Sequence, residues 1–440
     1  MEIQVDKLLT LIKNGSRVCI DSRACSTGDI FFALRGENHD GNQFAGQALS
    51  AGCRLAVIDR PEFNTGENYL LVENSLTCLQ VLAHQYRKMF DIPAIGITGT
   101  NGKTTTKELI HAVLSEQFKT KATTGNLNNH IGVPLTLLSL KNTDQLAVIE
   151  MGANHLGEIA KLCELSMPTH ALITNIGKAH LEGFGSVDNI EKAKSELYQY
   201  VRKNNGALFV NCDDPRLKKF STGKNSISFG TDNNNHCSGK ITSSTPFVSV
   251  AFSTNMNFGT TKRGTQGHIK SQLSGRYNFS NIMAAVTTGL YFGVPVELII
   301  SAIEAYKPTN NRSQIVQTPY NTVLMDAYNA NPSSMALAID NFRHFQSEPK
   351  ALLLGDMLEL GKDATAEHRL IADISDDLAF NTRIFVGKHF ASVCKTKQNT
   401  RVFDHVDEAA SWLKNNPLKG YQILVKGSRG IKMEKLLDLL

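Results

Sequence analysis

The chain has 440 residues, 41% of them hydrophobic and 20% charged, with a formal net charge of +5 at pH 7. At about 150 residues per domain, this length predicts roughly three domains with separate cores, and the composition excludes a disordered, collagenous or membrane-embedded chain. Lys and Arg are scattered rather than blocked, so nucleic acid is not an expected partner, whereas small anionic substrates suit the charge.

The first residues, MEIQVDKLLTLIKNG, set Asp6 and two lysines inside an apolar pattern, which suits neither a signal peptide nor a membrane span. The eight cysteines include no C-x-x-C pair, so no zinc site or disulfide framework is expected and a reducing cytoplasm fits. In residues 1–90, Val18–Ile20, Ile30–Leu34 and Leu55–Ile58 read as short strands and Leu76–Met89 as a helix. Between them, Asp21–Arg23 and Arg35–Gly41 are polar loops that are turns as readily as ligand loops.

Residues 91–311 carry the chemistry. The run AIGITGTNGKTT at 94–105 leads from a buried strand through a glycine turn into a helix whose Leu109, Ile110, Val113, Leu114 and Phe118 recur at helical spacing. Gly99, Thr100, Asn101, Gly102, Lys103, Thr104 and Thr105 then form a phosphate loop, with backbone N–H groups closing on phosphate oxygens at the positive end of a helix. Lys103 would neutralise the outer phosphates and the Thr104 hydroxyl would ligate Mg²⁺. The loop is a shortened G-x-x-G-K-T form, with Ile97 where the general pattern has glycine.

Leu146–Ile149 and Ala171–Ile173 continue an alternation of apolar runs and helices, predicting a parallel sheet covered on both faces. Ligands gather at the carboxyl edge of such sheets. Glu150, directly after one strand, and His180, in the loop 175–185 after the other, belong at that edge. A carboxylate there is either salt-bridged or bound to a cation; the histidine is a ligand or a loop residue without a role. The helix beginning near Ser186 puts Ile190, Ala193, Leu197, Tyr198 and Val201 on one face with Lys194 among them, while Lys192 and Glu196 face away. Lys194 either snorkels to water or is a modified lysine whose new carboxylate binds metal.

Residues 225–273 read as an antiparallel excursion or sub-sheet, with strands at Ser226–Phe229 and Phe247–Phe252. Gly275–Asn281 then opens an apolar helix, with Asn281 either a cap or a base contact. After the polar hinge Lys307–Asn311, strands are expected at Thr322–Met325, Ala351–Leu354, Arg383–Val386 and Gln422–Val425. The polar groups that follow them, at 326–331, 355–356 and 426–429, suggest a second ligand-facing edge that closes over the nucleotide.

Several motifs together resemble the Mur ligase family of peptidoglycan synthesis. They are DSR at 21–23, TGTNGKTT at 98–105, TTGNLNNHIGVPLT at 123–136, EMGANHLGEI at 150–159, AHLEGFGS at 179–186, YNANP at 328–332, LGDMLELG at 354–361 and VKGSRG at 425–430. The resemblance implies an α/β protein of three domains. These are a UDP-sugar-binding domain at 1–90, a central phosphate-loop ATPase domain with a parallel sheet at 91–311, and a Rossmann-like domain at 312–440 for the incoming amine.

It also implies ATP and two Mg²⁺ ions, one held by Thr104 and Glu150 and the other by His180 and a carbamylated Lys194; Lys103, Glu150, His180 and Lys194 would be the catalytic set. Asn281 matches the adenine contact, and Arg312 and Asp326 match contacts to ATP on closure. Ser22 and Arg23 match the uridine-diphosphate end, and Asn126 and Asn128 lie in a substrate-side segment. Asn329, Asn331 and Ser428 match the dipeptide side. The family often has Gly-Arg where this chain has Asn311-Arg312, and Asp-Asp where it has Met325-Asp326. The implied activity is ATP-dependent joining of D-alanyl-D-alanine to UDP-N-acetylmuramoyl-tripeptide through an acyl phosphate, in the bacterial cytoplasm and by a monomer.

Overall fold

The computed structural model describes residues 2–37, 39–309, 311–345 and 348–440, so Asn38 of the first polar loop and Asn310 of the expected hinge lie outside the described residues. Three parallel-based sheets follow one another along the chain, giving the α/β class that the alternating apolar runs predict. Among the described residues, no helix is long and apolar enough to cross a membrane.

The first sheet has four parallel strands in the order Val18–Cys19, Ile30–Phe32, Leu55–Ile58 and Tyr69–Leu71. Ile30, Phe32, Leu55 and Val57 face the helices Glu2–Lys13 and Ser75–Arg87, while Phe31, Ala56 and Ile58 pack on Ala45 and Ala48 of a short helix on the other side. Burial of both faces is why these strands read as continuous apolar runs. Asn74 caps the helix Ser75–Arg87 by accepting from Thr77 N, and this helix packs on Gly132–Leu138 and Glu158–Ser166 of the second sheet's layer.

Nine strands form the central sheet. From one edge they run Thr120–Ala122, Leu146–Glu150, Ala94–Thr98, His170–Ile173, Ala207–Asn211, Ser226–Gly230, Cys237–Ser243, Ser249–Thr254 and Gln266–Lys270. Pairing is parallel as far as Cys237–Ser243 and antiparallel beyond it. The segment 225–273 is therefore not a sub-sheet. It extends the central sheet without a break, because Phe229 and Gly230 pair with Cys237 and Ser238.

Helices Lys103–Ser115 and Asn278–Tyr291 cover one face, and Val187–Lys203 covers the other. Phe118 lies beyond the end of the first of these helices. Ser186 caps the last by accepting from Asn189 N. The helix approaches the sheet over Gly96, where a Cβ would stand 2.8 Å from Leu197 Cδ1. Lys194 is consequently buried, with 2% of its surface exposed, and does not snorkel. Glu196 does not face away either, because its carboxylate accepts from Gly157 N and Ala160 N at the start of the helix Glu158–Ser166.

The third sheet has six strands in the order Gln314–Gln317, Thr322–Asp326, Gln422–Lys426, Lys350–Gly355, Thr382–Val386 and Thr400–Phe403, parallel except at the first pair. Its entry segment holds two left-handed non-glycine residues, Asn311 at φ 56° and Ser313 at φ 51°.

Arg87 anchors the first domain to the second. Its buried guanidinium donates to Ser166 O, Phe90 O and Ile92 O at 3.0, 2.6 and 3.0 Å, and burial pushes its pKa below the usual arginine value. Replacing it by methionine keeps much of the bulk but strands three carbonyls. Urea denaturation of Arg87→Met should show a loss of about 3 kcal/mol or more, the scale of hydrogen bonds to a charged donor; an unchanged midpoint would mean that water substitutes for the guanidinium.

Candidate active site

The phosphate loop leaves the strand Ala94–Thr98 and turns into the helix at Gly102, whose φ of 77° is left-handed and favours glycine. Its carbonyls are tied off from behind. Asn101 O accepts from Thr174 Oγ1 at 2.6 Å and from Asn175 Nδ2 at 3.0 Å, while Asn101 N donates to Asn175 Oδ1 and Thr100 N to Asn175 O, both at 3.0 Å. Lys103 Nζ folds over the loop onto Gly99 O and Thr100 O, at 2.8 and 3.1 Å. Burial pushes this ammonium below the usual lysine range, and Arg312 adds to the effect while Glu150 opposes it.

The loop opens into a cavity of about 740 Å³ between the second and third domains. Gly102, Lys103, Thr104, Thr105, Glu150 and His180 line it from one side, and Arg312, Asp326, Tyr328, Asn329, Asn331 and Lys426 from the other. Thr100, Asn101, Asn126, Asn128 and Asn281 also reach it, so most of the expected nucleotide and substrate residues meet here.

Glu150 is 1% exposed. Its Oε1 accepts from Asn128 Nδ2 at 2.7 Å, whereas Oε2 is buried with no hydrogen-bond partner among the described residues. Among the described residues no salt bridge satisfies this carboxylate, and an orphaned carboxylate oxygen next to the Thr104 hydroxyl's helix suits a hard cation. Among the described residues no group of three or more His, Cys, Asp or Glu is arranged to hold a metal ion. Mg²⁺ needs no such cage where a nucleotide supplies oxygens.

His180 takes a left-handed φ of 49° ahead of the short helix Leu181–Phe184 and pairs through Nδ1 with Glu359 of the third domain. Glu359 itself has φ 63°, and its carbonyl accepts from Glu182 N at 3.2 Å. The imidazole holds the Glu359 carboxyl below the usual range. Two strained residues meeting across a domain boundary mark a contact that the surrounding packing imposes.

Lys194 does not line the cavity. Its Nζ lies behind the wall, donating to Ala153 O at 3.4 Å over the Phe184 ring, and burial together with Lys103 pushes its pKa down to about 7. Asn281 does not cap its helix. It accepts from Thr106 Oγ1 at 3.0 Å and donates to Asn278 Oδ1 at 2.8 Å, against Gly102. Ser428 is buried between Ala330 O and Leu358 N and is a brace within the third domain. Ser22 bonds Gln47 Oε1, and Arg23 forms a bidentate pair with Asp21, both in the first domain and outside this cavity.

Sequence reasoning assigned no role to Asn175 or Glu359, and Lys426 entered only as part of the polar group at 426–429. Asn175 and Glu359 lie in polar runs behind strands, and Lys426, like Glu150, ends one. Lys426 Nζ pairs with Asp326 Oδ2 at 2.5 Å, Asp326 Oδ1 accepts from Ser313 N, and the Arg312 guanidinium stacks 3.6 Å above the Tyr328 ring. The start of the third domain is thereby stitched to the floor of the cavity.

Comparisons with known proteins agree with this architecture. The description Mur ligase family, catalytic domain, matches residues 16–87, Mur ligase middle domain matches 97–289, and Mur ligase, glutamate ligase domain, matches 311–429. The UDP-N-acetylmuramoyl-tripeptide–D-alanyl-D-alanine ligase of Bacillus subtilis (strain 168) is 36% identical over 432 residues, covering 95% of this chain and 92% of that protein. Crystal structure I of MurF from Acinetobacter baumannii is similar with a TM-score of 0.86 at 31% identity, covering 98% of each chain. The MurF ligase from Thermotoga maritima, crystallised in complex with ADP, has a TM-score of 0.83 at 26% identity, covering 98% of this chain and 97% of that one. With three sheets in family order and relatives alike over nearly its whole length, the chain belongs to the Mur ligase family.

Proposed function

We propose that this chain is an ATP-dependent ligase that joins D-alanyl-D-alanine to UDP-N-acetylmuramoyl-tripeptide in the bacterial cytoplasm. The observation that carries this reading is a single cavity in which the phosphate loop and the half-satisfied Glu150 face the asparagines of the YNANP segment. The full-length likeness to a ligase of that name supports the substrates, and an ADP-bound relative supports the nucleotide. In this reading the first domain takes the uridine-diphosphate end through Ser22 and Arg23, the second takes ATP, and the third takes the dipeptide through Asn329 and Asn331.

An amine does not displace a carboxylate oxygen unaided, so the tripeptide's terminal carboxylate first attacks the γ-phosphate of ATP. The acyl phosphate and ADP result, with Lys103 facing the charge that develops on the transferring group. The dipeptide amine then adds to the acyl carbon, and the tetrahedral intermediate collapses to amide and phosphate. Thr104 and Glu150 would hold Mg²⁺, which supplies charge neutralisation at the phosphates. Asn281 and Arg312 bind and orient the nucleotide from opposite sides of the cavity, and Asp326 fixes the backbone next to Arg312 through Ser313 N.

We further propose that Lys194 is carbamylated and, with His180, completes a second cation site. A pKa near 7 leaves a substantial share of neutral amine at neutral pH, and only the neutral amine adds carbon dioxide. The modification replaces a buried positive charge by a carboxylate at the cavity wall formed by Ala153.

Phosphate release measured with ATP and Mg²⁺ should require both UDP-N-acetylmuramoyl-tripeptide and D-alanyl-D-alanine, with the pentapeptide product seen by mass spectrometry; release with neither would point instead to an NTPase. Lys103→Ala should lower turnover by about 10²–10³-fold, the scale of losing one charge-stabilising donor, with an unchanged circular dichroism spectrum; near-normal turnover would put the nucleotide elsewhere. Lys194→Ala should abolish ligation and regain part of it with added short carboxylates, and an unaffected variant would sink the carbamate.

A further inference from the structure

Three thiols gather in the first domain beside the Asp21–Arg23 loop. Cys25 Sγ donates to Cys19 Sγ at 3.1 Å, and both sulfurs reach Asp21 O, at 3.5 Å from Cys25 and 3.0 Å from Cys19. Cys19 and Cys25 are half-buried, within reach of a small solute, while Cys53, which also interacts with Cys25, is buried. All three are free thiols in the structure.

We propose that Cys19 and Cys25 form a reversible disulfide that controls binding of the uridine-diphosphate end of the substrate. The consequence for binding rests on the assignment of Ser22 and Arg23 given above; the disulfide itself does not. The oxidant is a low-molecular-weight disulfide. One cysteine thiolate attacks it, giving a mixed disulfide and one released thiol. The second cysteine, losing its proton, then displaces the remaining thiol, so two cysteine thiols are oxidised as one disulfide is reduced to two thiols. The sulfurs need only close from 3.1 Å to a bond of about 2.05 Å. Burial pushes Cys19 up to about 12 and Cys25 up to about 11, so thiolate is scarce and the exchange is slow, as suits a response to sustained oxidation.

The linkage to the loop is direct. A disulfide carries no S–H, so Asp21 O would lose the S–H of Cys19 and keep Ala24 N, now at 3.0 Å. Arg23 is tied to the Asp21 carboxylate at 2.9 and 2.8 Å, so a shift of Asp21 carries the arginine with it. In a reducing cytoplasm disulfides of this kind are transient and regulatory rather than structural.

The test uses the full chain incubated with glutathione disulfide, then digested with trypsin without reduction. Cleavage after Arg23 separates the two cysteines, so the product is a cross-linked peptide pair read by mass. The expected result is a Cys19–Cys25 link, with the KM for UDP-N-acetylmuramoyl-tripeptide raised about tenfold, the equivalent of one or two polar contacts. The kcat should stay within about twofold of its starting value, since no group facing the phosphates moves. Dithiothreitol should reverse both effects, Cys25→Ser should abolish both while leaving the reduced activity unchanged, and Cys53→Ser should leave both in place. No link, or a Cys25–Cys53 link, overturns the proposal. A Cys19–Cys25 link with an unchanged KM overturns the control of binding. If the reduced protein does not ligate at all, the ligase reading fails, while the mass of the cross-link still decides the disulfide.

Discussion

The carbonyl of Asn101 receives two hydrogen bonds from the strand end behind it, from Thr174 Oγ1 and Asn175 Nδ2, and the geometry of the site depends on that grip. A loop that offers N–H groups to phosphate must dispose of its carbonyls elsewhere, or they would repel the same anion. Close approach makes this feasible. A Cβ at Gly99 would stand 1.9 Å from Thr174 Oγ1, so the glycine is required by the neighbouring strand as much as by the ligand. On the opposite side Asn281 fills the space where a Cβ at Gly102 would sit, 2.6 Å from its Oδ1. The two glycines of the loop are thus each paired with a polar side chain from a different part of the central domain.

The same residue carries the third domain. Asn101 Oδ1 accepts from Asn331 Nδ2 at 2.8 Å, and Asn331 is also the cap of the helix Pro332–Arg343, where its Oδ1 accepts from Ser334 N and Ser334 Oγ accepts from its own N–H. One asparagine therefore starts a helix and touches the phosphate loop. Lys178 N donating to Ser333 Oγ at 3.0 Å, and the Lys178–Glu367 pair at 2.5 Å, repeat the arrangement nearby. The positive end of that helix and the phosphate loop face one cavity, so both of its walls favour anions.

Much of this was legible because the strands that matter are buried on both faces. Leu146–Glu150 and Ala94–Thr98 are buried along their whole length, which produces an unbroken apolar run and makes the polar residue at its end conspicuous. Among the strands that escaped notice, Tyr69–Leu71, Thr120–Ala122, Gln314–Gln317 and Thr400–Phe403 are sheet edges with partly exposed residues, and half-covered strands of three or four residues carry no clear period; Ala207–Asn211, buried along its whole length inside the central sheet, was missed despite its apolar run. Pairing partners were also beyond composition, so the segment 225–273 could be read as strands but not as a continuation of the central sheet. Ser428 illustrates a further limit. Position after a strand predicts proximity to the site edge, but whether a hydroxyl turns toward the cavity or inward depends on what else needs a hydrogen bond, here Leu358 N.

The missing side chain at Gly96 has a consequence for acid–base strength at a distance. Because a strand residue without a Cβ lets Leu197 settle onto the sheet, the whole helix rides low and draws Lys194, one turn earlier, out of water. An ammonium in a poorly polarisable interior gives up its proton more readily than one on the surface. A methyl group at position 96 would stand 2.8 Å from Leu197 Cδ1, 3.2 Å from Met151 Cε and 3.3 Å from Pro168 Cβ, so the packing of this helix on the sheet would have to readjust. The burial that lowers the basicity of this amine thus goes together with close packing at a strand position that it does not touch.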